Sequence, residues 1–260
     1  MTIAVDRRSR DVSQAVAGRP VTVLGLGYGV AAYAILVATF LYAIGFVSGV
    51  VVPKHIDTGT IWPASVALCI DLQLLGLVVV LLSVMARRGF QQLLTKFVAP
   101  AVARSTYVVC ACLTLILLFA AWQPLPAVVW QAGNPQVVAA IKSLAVLGWL
   151  IAVCGALPII HSELFGAKQM VLNFAGRNEA AIPFRTPGLT RFVRHPIYLG
   201  LLIAFWAAPT MTAGHFLLAS VTTGYISVVI WLEERALAAF FGDRYRQYRK
   251  QVSMLLPGLF

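Results

Sequence analysis

Apolar residues run along most of this chain in long blocks, separated by short polar connections. A helix needs about 20 such residues to cross a hydrocarbon core. On that pattern a first helix is predicted over Val21–Val52, a second over Trp62–Met85, a third over Ser105–Trp122 and a fourth over Gln136–Ile160. A fifth apolar stretch, Pro196–Leu232, is broken at Pro209 and reads as a helical hairpin. Its first arm, Ile197–Ala208, rises only about 18 Å, so it is re-entrant or steeply set. Met211-Thr212-Ala213-Gly214-His215 is expected to form a polar outer turn with His215 solvated. Beyond the hairpin, Leu237, Phe240, Phe241, Tyr245 and Tyr248 recur at helical spacing, so Glu233–Val252 reads as one amphipathic helix.

Composition agrees with the pattern. The chain is 60% hydrophobic and 11% charged, with a mean hydropathy of +0.86; a soluble domain carries roughly a quarter charged residues. The fold class is therefore an all-α polytopic membrane protein, with four spanning helices plus a C-terminal hairpin, five to six membrane segments in all. Its regions are a tail over 1–20, a four-helix bundle over 21–160, and a loop, hairpin and tail over 161–260. The first nineteen residues are polar and Arg-rich, and the apolar run after them is too long for a signal-peptide core, so no cleavable leader is expected.

Charge placement sets the orientation. Of the basic residues, all but Lys54 and Lys142 fall in the N-terminal tail, after the second helix, after the fourth helix or after the hairpin. The positive-inside rule then places both termini and the two intervening loops in the cytoplasm. The net charge of +11 is a topology signal that also favours anionic lipid headgroups; nothing calls for nucleic acid. Asp71 and Lys142 are ionisable groups inside spans, where charge is costly, and are expected to pair. Gly25 with Gly29, and Gly45 with Gly49, have the spacing of close helix packing. The four cysteines lie in apolar segments at spacings that fit no zinc pattern, so no metal is expected.

The chemistry-bearing residues gather at the two feet of the hairpin. Arg194-His195-Pro196-Ile197-Tyr198-Leu199-Gly200 precedes its first arm, and Glu233-Glu234 follows its second. Such a site suits a charged, water-soluble cofactor taken from the cytoplasm and an apolar substrate taken from the bilayer. The pattern Arg-His-Pro-x-Tyr-x-Gly, apolar hairpin, Glu-Glu, then Phe241-Gly242-Asp243-x-Tyr245-x-x-Tyr248 and Pro257 resembles the isoprenylcysteine carboxyl methyltransferase and phospholipid methyltransferase superfamily. Pro183-Phe184-Arg185-Thr186-Pro187-Gly188-Leu189, Arg191-Phe192-Val193 and Trp231-Leu232-Glu233-Glu234-Arg235 are similar to the bacterial methanethiol S-methyltransferases within it.

That resemblance implies methyl transfer from S-adenosyl-L-methionine to a small volatile thiol, in a bacterial inner membrane and beneath a small cytoplasmic lid. It implies cofactor contacts from His195, Pro196, Tyr198, Leu199, Gly200, Glu233 and Glu234. The nucleophile must be a thiolate, so a base is needed; His161 or Glu163 is expected in that role, with Arg194 as electrostatic helper. One departure stands out. A Gln-His pair is expected ahead of Ser-x-Met-Ala-Arg, but Leu81-Leu82 precedes Ser83-Val84-Met85-Ala86-Arg87. A lipid or prenylcysteine acceptor, or a non-catalytic homologue, are the alternatives this departure leaves open.

Overall fold

The computed structural model describes residues 23–85, 87–98, 100–164 and 188–255. The elements, in order, are α1 (Val23–Ser48), α2 (Ala64–Met85), α3 (Arg88–Phe97), α4 (Pro100–Ala121), β1 (Val128–Gln131) and α5 (Pro135–Leu164). A 3-10 turn (Gly188–Arg191), α6 (Pro196–Trp206), β2 (Thr210–Thr212), α7 (Ala213–Phe241) and α8 (Asp243–Gln251) follow. Among the described residues, four helices are long and apolar enough to cross a membrane: Gly27–Ser48, Ala64–Met85, Pro135–Leu157 and Ala213–Phe241. The apolar parts of α4 and α6 are shorter. The protein is an all-α polytopic membrane protein, to which a two-stranded ribbon is added.

The chain divides into two compact units, Met1–His55 with Cys69–Trp122, and Ile56–Leu68 with Gln123–Phe260. Within the second unit, α5 packs on α6.

In the first unit α1 lies along α4. Phe46 anchors the contact, 4.9 Å from Phe119 and edge-on to Trp122 between ring centroids. Lys54 donates from Nζ to the carbonyl of Ala120 at 2.6 Å. A cation at a helix C-terminus meets the negative end of its dipole, which explains one of the two basic residues that lie outside the basic clusters of the sequence. The first helix stops at Ser48, four residues short of the expected Val52. Gly49 has φ +68°, and a Cβ on Gly45 would sit 2.8 Å from the carbonyl oxygen of Val50. Gly45 and Gly49 thus serve a chain reversal at a helix end, not helix packing as expected. Asp71 is fully buried on α2; Lys142, on α5, is exposed.

In the second unit the short α6 is pressed against α5. A Cβ on Gly200 would fall 2.5 Å from the carbonyl oxygen of Gly148, and one on Gly148 would fall 2.7 Å from the amide of Ala204. Gly155 meets Ile197 and Pro196 in the same way. Small residues on both helices bring the backbones together, the usual device where lipid supplies no hydrophobic drive. Trp149 against Phe205, 5.7 Å between centroids, closes the contact.

The outer turn differs from its expected solvated form. Thr210–Thr212 pairs antiparallel with β1. The Thr212 hydroxyl accepts from the amide of His215, capping α7, and donates to Asp57 at 2.6 Å. His215 is buried, with Nε2 donating to the carbonyl of Phe205 at 2.8 Å. The Trp130 indole donates to the carbonyl of Ala208, and Trp130, Trp206 and Phe216 cluster around it. The orphan carbonyls at the end of α6 find donors here, so residues that look like a solvated turn in one dimension are consumed as partners.

The C-terminal reading also changes. Glu233 and Glu234 lie inside α7, which continues to Phe241. Gly242, with φ +59°, breaks the chain before α8. One amphipathic helix is therefore the end of a membrane helix plus a separate short one.

Candidate active site

The segment before α6 is held by the C-terminal strand of chain. Val193 bridges Ser253 in parallel, the amide of Arg194 donates to the carbonyl of Ser253 at 2.9 Å, and that of His195 to Met254 at 3.2 Å. Pro196 then opens α6 in its first turn, where a missing N–H is harmless. His195 occupies the N-cap position, but its side chain makes no cap bond. It turns to the two glutamates instead.

Those carboxylates come from α7. His195 Nε2 lies 3.4 Å from Glu234 Oε1, and Nδ1 lies 3.6 Å from Glu233 Oε2. The phenol of Tyr198, one turn into α6 and stacked on the His195 ring, donates to Glu233 Oε1 at 2.8 Å. Glu234 is buried and takes two guanidiniums: Arg194 Nε at 2.7 Å on Oε1 and Arg249 Nε at 3.2 Å on Oε2. Arg194 Nη1 also donates to the carbonyls of Arg249 and Val252, at 3.0 and 2.6 Å. These are open carbonyls at the end of α8, so Arg194 ties α7, α8 and its own segment together.

Burial decides the protonation states. The His195 pKa is lowered, because desolvation of the imidazolium outweighs the pull of Glu233 and Glu234. The Tyr245 phenol is pushed up to about 12, first by burial and then by the charge of Glu234. Burial raises Tyr248 too, whose hydroxyl donates to the carbonyl of Thr190 at 2.5 Å. Both phenols stay neutral and are poor bases. A neutral imidazole carries one N–H, so His195 donates to one glutamate at a time.

With this geometry described, similarity to known proteins bears on it directly. The family model described as "Protein of unknown function (DUF1295)" matches residues 64–252, from the start of α2 to the residue after α8. Methanethiol S-methyltransferase 1 of Bradyrhizobium diazoefficiens is 50% identical over 230 residues, 88% of this chain and 81% of that one. The methanethiol S-methyltransferase of Mycobacterium tuberculosis is 47% identical over 230 residues, 88% and 94% of the two chains. Methanethiol S-methyltransferase 2 of B. diazoefficiens is 46% identical over 235 residues, 90% of each. The chain belongs to this family. No solved structure matches it.

Of the residues expected to form this family's site, the structure brings Arg194, His195, Tyr198, Glu233 and Glu234 into one cluster. Pro196 and Gly200 lie against α5, and Leu199 donates its amide to the carbonyl of His195. His161 and Glu163 lie in the last turn of α5, and their side chains fall outside the described residues. Arg249 was missed, being one of several basic residues in the tail. Its position four residues after Tyr245, one of the apolar residues at helical spacing, was the available signal, since i and i+4 share a helix face.

The depressed His195 pKa carries a sign. The unfolded chain takes up the proton near pH 6.5 and the folded site only at lower pH, so the imidazole's contribution to stability is complete above about 6.5. It is lost as pH falls through the folded value. Melting curves from pH 8 down to 5 should therefore decline more steeply in the wild-type chain than in His195→Asn. Parallel declines would rule out this role for the buried imidazole.

Proposed function

We propose that this chain transfers a methyl group from S-adenosylmethionine to methanethiol, releasing dimethyl sulfide, at the cytoplasmic feet of α6 and α7 in a bacterial inner membrane with both termini inside. The family relatives are named for S-methyl transfer to methanethiol, which supports the acceptor and the reaction type. The observation that carries the reading for this chain is the buried carboxylate of Glu234, set between two arginines and His195, with the half-exposed Glu233 beside it.

This group of residues fits the methyl donor. Glu233 is open enough to accept hydrogen bonds from ribose hydroxyls or from an ammonium, and Tyr198 fixes its rotamer. His195, Tyr198, Glu233 and Glu234 would hold the donor; Pro196, Leu199 and Gly200 set the turn that carries the first two. Bound there, S-adenosylmethionine supplies an activated methyl group on a sulfonium. The protein's part is orientation and exclusion of water. Tight α5–α6 packing holds His195 and Tyr198 in place while α7 presents the glutamates. Arg194 acts through Glu234, since its Nε and Nη1 are committed inside the protein. His161 or Glu163 at the end of α5 takes the thiol proton in this reading; the Tyr245 and Tyr248 phenols, with raised pKa values, are not suited to it.

The test is headspace gas chromatography of dimethyl sulfide from the purified full chain in detergent, given S-adenosylmethionine and methanethiol. Product is expected from the wild-type protein and none from a folded His195→Ala. Leu81-Leu82 in place of Gln-His is the observation that favours another acceptor. Labelled methyl appearing in lipid, with no dimethyl sulfide, would replace methanethiol by that acceptor.

A further inference from the structure

Two guanidiniums meet Glu234, and they are not equivalent. Arg194 is buried, with its side chain 8% exposed, and directs Nε to the carboxylate and Nη1 to two backbone carbonyls. Arg249 is 47% exposed and uses only Nε on Glu234. No hydrogen bond from its two terminal nitrogens is found among the described residues. An arginine ion-paired through Nε leaves its outer donor pair clear, the pair that takes a carboxylate in two parallel bonds. Its backbone is held in place, since its own carbonyl accepts from Arg194. The other basic side chains of α8 do not share this placement: Arg246 pairs with Asp243, and Arg244 and Lys250 are exposed without a contact to Glu234.

We infer that Arg249 is the carboxylate-recognition residue of the site: it binds the α-carboxylate of the methyl donor's amino-acid moiety, and so selects a donor that carries one. This inference rests on the donor reading given above. Glu234 plays two parts in it, neutralising buried Arg194 and aiming Arg249. The net charge of the group supports the assignment. Glu233 and Glu234 balance Arg194 and Arg249, with His195 neutral, so an incoming carboxylate meets an open cation rather than a surplus of negative charge.

Calorimetric titration of the full chain in detergent, with S-adenosylmethionine and with its decarboxylated analogue, separates the possibilities. The wild-type chain should bind the carboxylate-bearing donor about tenfold or more tightly, the scale of a paired charge-assisted contact. Arg249→Gln should lose that advantage and leave the analogue's affinity unchanged, and Arg249→Lys should restore part of it. In turnover, the loss should appear in KM for the donor with kcat nearly intact. Equal wild-type affinity for the two compounds overturns the inference without any variant, as does an equal loss for both in a folded Arg249→Gln, which would leave Arg249 a structural clamp only. If the wild-type chain binds neither compound while its melting curve shows it folded, the donor reading itself falls and takes this inference with it.

Discussion

Glu234→Ala is expected to abolish dimethyl sulfide formation and to lower stability by about 3–5 kcal/mol. Both effects have one origin. The Arg194 guanidinium is buried and its charge is matched by Glu234 at 2.7 Å. Removing the carboxylate strands that charge, and a buried ion without its partner costs far more than the pair itself contributes. The same change frees Arg249 and removes the neighbour of His195 Nε2, so the proposed donor site loses its aim as well as its charge. Glu234→Gln keeps the shape and separates the two effects: it should fold better than the alanine variant and still turn over poorly. Thermal melting and product formation, measured on both variants, check this. Full activity in Glu234→Gln would show that the charge is dispensable and would remove the basis for the site as described.

Gly200→Ala should destabilise the protein by about 1–3 kcal/mol, the scale of overpacking a filled contact. The added methyl would lie 2.5 Å from the carbonyl oxygen of Gly148, a backbone atom that cannot swing aside. Relief requires α6 to move off α5, which carries His195 and Tyr198 away from the glutamates of α7, so activity should fall with stability. Gly224→Ala is the control: nothing lies within 4 Å of a Cβ there, and alanine favours a helix by about 1 kcal/mol over glycine. That variant should be neutral or slightly more stable. Equal melting temperatures for Gly200→Ala and the wild-type chain would mean that the two helices are not held at this distance.

Gly200 shows how a motif residue can carry a role its motif does not announce. In the sequence it closes Arg-His-Pro-x-Tyr-x-Gly and invites a ligand contact; in the structure its missing side chain lets α6 pack on the backbone of α5, three-dimensional information that no spacing along one segment contains. The opposite holds for Glu233 and Glu234. They are adjacent in the chain and on the same helix, yet one is half-exposed and bound to Tyr198 while the other is buried between arginines. Successive helical residues point about 100° apart, so the pair was bound to divide, but its direction depended on where α6 and α8 lay. The outer turn failed for a related reason. Thr212 and His215 look solvated until β1, distant in sequence, pairs with the Thr210–Thr212 strand and Asp57 and the Phe205 carbonyl supply their side-chain partners.

The sequence by itself determined the membrane class, the first, second and fourth of the expected spans, the short first arm of the hairpin and the convergence of its two polar feet. Long apolar blocks admit no other low-energy arrangement in lipid than helices that satisfy their own backbone, and a hairpin must bring its feet together. Only the tertiary structure decided that α5 is the bed of α6, that Gly242 divides the tail, and that Arg249 reaches Glu234. Each of these depends on which faces meet across long stretches of chain, and a periodic pattern that is apolar on every side does not specify a face.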